Sequence, residues 1–278
     1  MSKVVDLDTA VASVPAGARL GIGGTLLQRK PVAFVDALAR RGTGGLRLHT
    51  FLGSLDVELL AAHGCLAEAH TSYVGFEQLG FAPAYGAAVD AGAVTAVEYT
   101  EYLYVAGLRA AVAGLPFQPT LGGLGSQVLD ELGFRTVACP YTGREVVAVP
   151  ATMLDVAVIH ADAADEHGNV LGPRDRDFLW DLDATTARAA DRVIVTVEEL
   201  VPTAEVAAAS GRTLLFGHEV AAVVHAPGGA APTAVPGSYG ADVAALRAYL
   251  AAAGADPAGT VAAARALTCG RGEAEVAR

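Results

Sequence analysis

Three glycines fall within four positions at the end of a short apolar run, in Arg19-Leu20-Gly21-Ile22-Gly23-Gly24-Thr25, and an amphipathic segment with Phe34, Val35 and Leu38 opens at Pro31. That order predicts a strand, a glycine loop and a helix start. Glycines admit positive φ and leave no Cβ between backbone N–H groups and a ligand, and a helix N-terminus nearby favours negative charge. The loop is either a cradle for a carboxylate or oxyanion, or a tight strand-to-helix turn that binds nothing. Its spacing matches neither G-x-G-x-x-G nor a phosphate loop ending in Gly-Lys-Ser/Thr, so neither a dinucleotide nor ATP follows from it.

The alternation begun there continues. Leu46–Phe51 and Glu68–Tyr73 read as strands around a helix over Asp56–His63, and Ala84–Ala91 and Glu101–Ala113 as helices around an extended Val94–Glu98. Val156–His160 and Arg192–Val197 are nearly all apolar, which marks strands buried on both faces; a helix over Asp183–Ala190 lies between them, and Val220–Ala226 is the last clear strand. Alternating strands and helices predict α/β architecture with a parallel sheet, whose ligands bind at the carboxyl ends of the strands. From Pro116 to Gly143, glycines and prolines break every period, so an irregular or hairpin lobe is expected near residues 116–144. Residues 1–253 read as one domain. The Ala- and Gly-rich residues 254–278 read as a mobile or weakly packed tail.

Composition narrows the function classes. The formal charge of −11 over 278 residues argues against a nucleic-acid surface, which needs clustered Lys and Arg. No apolar run approaches the roughly 18 residues of a spanning helix, and Met1-Ser2-Lys3-Val4-Val5-Asp6 lacks a secretory core, so a soluble, cytoplasmic protein is expected. Cys65, Cys139 and Cys269 are far apart and form no C-x-x-C pair, which suggests neither a disulfide framework nor a zinc site.

Several residues are candidates for chemistry. Glu98 and Glu101 flank a strand end and a helix start; Thr100 is placed to cap that helix, and Glu101 either complements the macrodipole or faces a cleft as a base on water. His160, Asp162, Asp165, Glu166 and His167 are the densest set of potential ligands, but their spacing fits no metal site, so a hydrogen-bonded loop with Asn169 closing it is expected after His160. Ser72-Tyr73-Val74-Gly75-Phe76-Glu77 runs from a strand into a turn, with Ser72 or the backbone at Gly75 free to contact a carboxylate; no nucleophile elbow surrounds any serine.

Taken together and in order, these motifs resemble the α (A) subunit of family I coenzyme A transferases, of the glutaconate CoA-transferase type. The resemblance runs from Gly21-Ile22-Gly23-Gly24 and Arg29-Lys30-Pro31 through Ser72–Glu77, Phe81-Ala82-Pro83 and Glu98-Tyr99-Thr100-Glu101-Tyr102. It continues in Ala106–Ala111, Gly114–Pro119, Gly122-Gly123-Leu124-Gly125-Ser126 and Cys139-Pro140-Tyr141, and ends in Asp165–Val170, Val195–Leu200 and Ala226–Ala230. It implies an open, mostly parallel α/β fold of the transferase and ribose-phosphate-isomerase type. It also implies a β (B) subunit of similar fold, in an αβ, α2β2 or larger assembly, and CoA thioesters and carboxylic acids as substrates, with no resident cofactor or metal. The family's nucleophilic glutamate belongs to the β subunit, and this chain holds no Glu-Asn-Gly or Glu-Ser-Gly. Without its partner the α chain is therefore expected to be inactive.

On the same resemblance, Gly23 and Gly24 offer N–H groups to a carboxylate or oxyanion, and Ser72, Gly75 and Phe76 line the acyl pocket. Gly123, Ser126 and Asn169 shape the mouth or the subunit contact. Ala231 stands where the family's terminal Gly-Ala-His-Pro loop carries its histidine. The chain also resembles the A subunit of the ring-opening CoA-thioester hydrolase of bacterial steroid catabolism, in which a glutamate at the position of Glu101 activates water, and a further branch is decarboxylating. The expected function is a CoA-transferase acting on a short, branched or dicarboxylic acyl-CoA. The alternatives are a hydrolase or lyase using Glu101, and a non-catalytic ligand-binding or scaffold subunit.

Overall fold

A computed structural model of the chain describes residues 2–177, 179–255 and 259–269. In chain order its strands are β1 (Arg19–Ile22), β2 (Leu46–Thr50), β3 (Leu52–Gly53), β4 (Leu66–Thr71), β5 (Tyr73–Val74), β6 (Thr95–Glu98), β7 (Phe117–Thr120), β8 (Arg135–Ala138), β9 (Glu145–Pro150), β10 (Leu154–Ala164), β11 (Val170–Leu171), β12 (Ala190–Leu200), β13 (Thr213–Leu215) and β14 (Ala222–His225). The helices are α1 (Leu7–Ala12), α2 (Val32–Arg41), α3 (Leu55–Ala62), α4 (Pro83–Asp90), α5 (Glu101–Val112), α6 (Val128–Glu131), α7 (Leu182–Arg188), α8 (Thr203–Ala208), α9 (Val243–Ala255) and α10 (Thr260–Cys269).

β1 sits near the middle of the main sheet, paired in parallel with β2 on one side and β10 on the other. Outward from β2 come β4 and β6, and outward from β10 come β12 and β14, all parallel. The antiparallel members are β11 and β13. Side chains alternate between two cores, as a period of two demands. Val156 and Val158 of β10 join the helices α2, α3, α9 and α10 in one core, whereas Ile159 and Ala161 join Ala184 and Ala187 of α7 in the other. The open, mostly parallel sheet read from the sequence is the architecture found.

β10 is longer than its apolar pattern indicates. The polar loop expected after His160 begins only at Asp165, because Ala161, Ala163 and Ala164 continue to pair with β12 and the last two also with β11. Asp162, which ended the apolar run, is buried and accepts hydrogen bonds from the Arg174 amide (2.8 Å) and the Arg212 guanidinium (2.6 Å). The lobe near residues 116–144 is a hairpin lobe extending to Pro150: β7, β9 and β8 form a separate antiparallel sheet with α6.

α5 joins this lobe to the main sheet. The Thr100 hydroxyl caps it, accepting from the Leu103 amide at 3.3 Å. Leu103 and Ala106 pack against Leu129, Val147 and Val149 of the lobe, and Tyr104 and Leu108 pack against Phe51, Leu154 and Leu182 beneath the sheet. Gly107 lets the chain cross closely: the Thr152 amide donates to its carbonyl at 2.9 Å, and a Cβ there would lie 2.4 Å from the Thr152 hydroxyl.

Part of the expected tail is structured. Residues 260–269 form α10, whose Ala264 and Leu267 are buried in the core with α2, α3 and α9; residues 256–258 and 270–278 lie outside the described residues. On the same face, α4 starts at Pro83 with no cap of its own. The buried Glu58 of α3 supplies one, accepting from the amides of Ala84 and Tyr85 (each 3.0 Å) and from the Tyr249 hydroxyl (2.6 Å).

A fully buried ion pair lies beneath the start of α2. Lys30 Nζ meets Asp56 Oδ2 at 2.7 Å and the Thr50 hydroxyl at 2.8 Å, and both charged side chains are at 0% exposure. Burial pulls the Lys30 ammonium below its ordinary range, with Asp56 pulling it back. Removing one member leaves an uncompensated buried charge, whereas replacing both by apolar groups removes the desolvation cost. Asp56→Ala is expected to destabilise the fold by about 3–5 kcal/mol, and Lys30→Met with Asp56→Leu to recover most of that loss, as read by urea unfolding.

Candidate functional site at the carboxyl ends of the strands

All the parallel strands deliver their next residues to one edge: Gly23 after β1, Phe51 after β2, Ser72 after β4, Tyr99 to Glu101 after β6, and Ala226 after β14. The glycine loop is spent on the protein itself. The Gly23 amide donates to the Val158 carbonyl (2.9 Å) and the Gly24 amide to the Asp183 carboxylate (2.7 Å). Gly24 has φ +71°, and a Cβ on it would fall 2.5 Å from the Gln28 carbonyl oxygen, which explains why glycine is required. Thr25 and Gln28 then exchange backbone hydrogen bonds in a tight turn before α2. The N–H groups expected to face a ligand are thus already paired within the chain.

Asp183 also holds Arg29, Oδ2 to Nε 3.1 Å, and Asp177 binds the other side of the same guanidinium. Burial works against the Arg29 charge, and Asp183 and Asp177 outweigh it, so its already high pKa rises further. Arg29 adopts φ +49°, an uncommon conformation for a non-glycine residue, held here by its amide donating to Ala234 at 2.7 Å as well as by its ion pairs.

Two buried hydroxyls without partners among the described residues lie between β2, β4 and α5. Ser72 donates its amide to the Phe51 carbonyl at 3.0 Å, while its hydroxyl is buried with no partner among the described residues. Tyr104 packs on Phe51 with ring centroids 5.7 Å apart, and its buried hydroxyl is likewise unpartnered among the described residues. Burial first, then Tyr99 and Asp56, hold the Tyr104 phenol well above its ordinary value, so it is an O–H donor. Glu101 stands one turn before Tyr104, exposed in the first turn of α5. β4 and β6 are neighbours with Thr71 opposite Glu98, so Ser72 and Glu101 leave adjacent strands at the same edge.

The other anticipated residues separate into two groups. The loop of Gly123 and Ser126 packs on the first turn of α5: a Cβ on Gly122 would meet the Tyr102 ring at 2.8 Å, and one on Gly123 would meet Leu129 at 2.9 Å and Leu103 at 3.3 Å. The Ser126 hydroxyl donates to the Gly123 carbonyl at 2.7 Å. Gly75, Phe76 and Asn169 are engaged elsewhere. The buried Gly75 donates to Gly53 at 3.1 Å, and Phe76 is at 0% exposure in the main core beside Tyr249, so it lines no open pocket. The Asn169 side chain donates to Asp165 (2.8 Å) and accepts from the Gly217 amide (2.9 Å), closing its loop onto the segment before β14.

Further along the edge, Glu198 organises the loop after β14. It meets His160 Nε2 at 2.7 Å and accepts from the Tyr239 hydroxyl at 2.5 Å and the Gly228 amide at 2.7 Å, while His160 Nδ1 lies 2.8 Å from the Thr196 hydroxyl. Burial alone would raise the Glu198 carboxyl, but His160, Tyr239 and Gly228 outweigh it and hold it below its ordinary value. Among the described residues, no group of three or more His, Cys, Asp or Glu is placed to hold a metal ion.

The network of Asp183 and Arg29, the hydroxyl of Tyr104 and the role of Tyr239 were not legible from the sequence. Tyr104 had a weak signal, lying three residues after Glu101 on one helix; Tyr239, in a Gly/Pro-rich stretch, had none.

The profile of the coenzyme A transferase family matches residues 4–213. The IpdA component of the cholesterol ring-cleaving hydrolase of Rhodococcus jostii is 36% identical over 252 residues, covering 86% of this chain and 83% of that protein. The A-type component of glutaconate CoA-transferase from Acidaminococcus fermentans is 31% identical over 276 residues, covering 90% and 82%. Among solved structures, a variant of the decarboxylase AibA/AibB superposes with a TM-score of 0.84 at 36% identity, covering 96% of this chain and 99% of the other. With the glycine turn at the exit of β1, the Ser72 and Glu101 edge and this extent of likeness, the chain belongs to the coenzyme A transferase family, as a subunit of the A type.

Proposed function

We propose that the chain is the α subunit of a cytoplasmic heteromeric enzyme acting on an acyl-CoA, and that Glu101 is its general base on water. The observation that carries this is the position of Glu101: a carboxylate with no partner among the described residues, at the positive end of α5, on the same edge as the unspent hydroxyls of Ser72 and Tyr104. In the proposed step Glu101 takes a proton from water as its oxygen bonds to a substrate carbonyl carbon. Hydroxyls aimed at that carbonyl oxygen would stabilise the developing charge. The proton then passes to the leaving group as its bond to the carbonyl carbon breaks. A base of this kind works best out of bulk water, and Glu101 is exposed, so the β subunit is assigned the task of covering it.

The similarity at 36% identity to the IpdA component of a hydrolase supports this reading over transfer. The second reading, favoured by the similarity to the A-type component of glutaconate CoA-transferase, is CoA transfer through a nucleophilic glutamate of the β subunit, with Glu101 dispensable.

In the complex co-expressed with its β subunit, Glu101→Gln is expected to lower turnover by about 10²–10⁴-fold with acyl-CoA binding retained. Near-normal turnover would remove Glu101 from the chemistry. A partner glutamate reduced by borohydride in the presence of acyl-CoA, seen by mass spectrometry, would establish transfer instead.

Glu198 supports the same edge by fixing the loop at Gly228, whose neighbour Gly229 accepts from the Ala33 amide of α2 at 2.9 Å. A carboxyl held below its ordinary value stabilises the fold above the ordinary glutamate range and loses that contribution as the pH falls through it. Glu198→Gln is therefore expected to cost about 1–3 kcal/mol at neutral pH, and the gap from the parent chain to narrow in unfolding curves recorded below about pH 4.

A further inference from the structure

A cavity of about 210 Å³ lies between the main sheet and the antiparallel lobe. Its sheet side presents Arg19, Arg47, His49, Glu68 and His70, and its lobe side Phe134, Pro150, Ala151 and Met153. Tyr99 stands between it and the Ser72 edge, its ring 6.0 Å from His70 and 5.8 Å from Tyr104.

The charges around this cavity are unevenly spent. Arg19 is paired with Asp155, Nη2 to Oδ1 2.6 Å. Glu68 is paired with His70 Nε2 at 2.7 Å, and the other ring nitrogen of His70 lies 3.2 Å from the Tyr99 hydroxyl. Arg47 makes no direct ion pair among the described residues, although its charge, after that of Arg19, helps to lower the Asp155 carboxyl; its guanidinium donates to the Gly17 carbonyl at 3.2 Å. His49 is 8% exposed, stacked on His70 at 4.2 Å between centroids, and its ring makes no hydrogen bond among the described residues. Burial, then the neighbouring His70, Arg19 and Arg47, push the His49 imidazole down to about 3, so the ring is neutral and offers one N–H donor. Arg47 and His49 stand two residues apart on one face of β2, so both can present donors to the same cavity.

We propose that this cavity is a second ligand site, for a short-chain monocarboxylate. The carboxylate would lie on Arg47 and His49, whose donors are not already spent on a carboxylate of the chain, and the apolar chain against Phe134, Pro150 and Met153. A guanidinium outside any direct ion pair beside a neutral ring N–H fits one carboxylate, and the apolar lobe wall distinguishes an acyl chain from an inorganic ion. The site lies beyond the chemistry proposed for Glu101 and does not depend on it.

The test is to titrate butyrate into the full-length chain while following the histidine ring signals by NMR, with the His49 signal assigned by its loss in His49→Gln. Saturable shifts of the His49 and His70 signals are expected. Arg47→Met should weaken butyrate binding by about tenfold or more with the melting temperature unchanged, since Arg47 is exposed. Phe134→Ala should weaken butyrate more than acetate. The proposal is overturned if the His49 signal does not move or if Arg47→Met leaves binding intact. Inorganic phosphate binding as tightly as butyrate, or binding that depends on Ser72→Ala rather than Arg47→Met, would also overturn it.

Discussion

The carboxylate of Asp183 is the contact on which the carboxyl edge of the sheet depends. It comes from α7, on one face of the sheet, and meets the chain where β1 ends and turns toward α2, on the other face. One oxygen holds the Gly24 amide and the other the Arg29 guanidinium, so a single side chain fixes both a positive-φ glycine and the buried cation five residues on. Arg29 cannot be buried uncompensated, and Asp177 is drawn into the same cluster. Arg29 in turn sends its amide to Ala234, and Lys30 leads directly to the pair with Asp56. The start of α2, the loop after β14 and the segment before α7 are therefore parts of one electrostatic unit.

That unit accounts for the division of labour along the edge. At the exits of β1 and β12 the polar groups are engaged: the amides of Gly23 and Gly24 and the charges of Arg29, Lys30 and Glu198 all have partners within the chain. Toward β4 and β6, by contrast, the hydroxyls of Ser72 and Tyr104 and the carboxylate of Glu101 have no partner among the described residues. The surface around Glu101 is also apolar for an exposed region, with Tyr102, Leu121 and Leu124 at 59%, 45% and 36% exposure. On the reading proposed, a β subunit seated there would bury those side chains and dry the carboxylate in one step, which makes assembly and activation the same event.

Periodicity disclosed most of the fold because parallel strands buried on both faces leave nearly uninterrupted apolar runs, as in Val156–His160 and Arg192–Val197. It failed where a polar residue is buried and satisfied by distant partners. Asp162 looked like the end of a strand because its bonds to Arg174 and Arg212 lie far along the chain. α10 looked like a tail because alanine carries little pattern, although Ala264 is fully buried. The placing of Ser72 and Glu101 at the carboxyl edge was legible from order and motif. That the amides of Gly23 and Gly24 were already taken was not, since Asp183 lies 159 residues from Gly24 in sequence and only the folded chain brings it there. Phe76 shows the converse error, a motif residue whose burial in the core no local signal reveals.

α5 carries Glu101 on its first turn, is clamped to the lobe by Leu103 and Ala106, and is crossed by Thr152 at Gly107. Six residues separate that crossing from Glu101, about 9 Å of helix. The helix is thus held on one face by the lobe and on the other by residues beneath the sheet, so the place of its first turn is set jointly by two separate sheets.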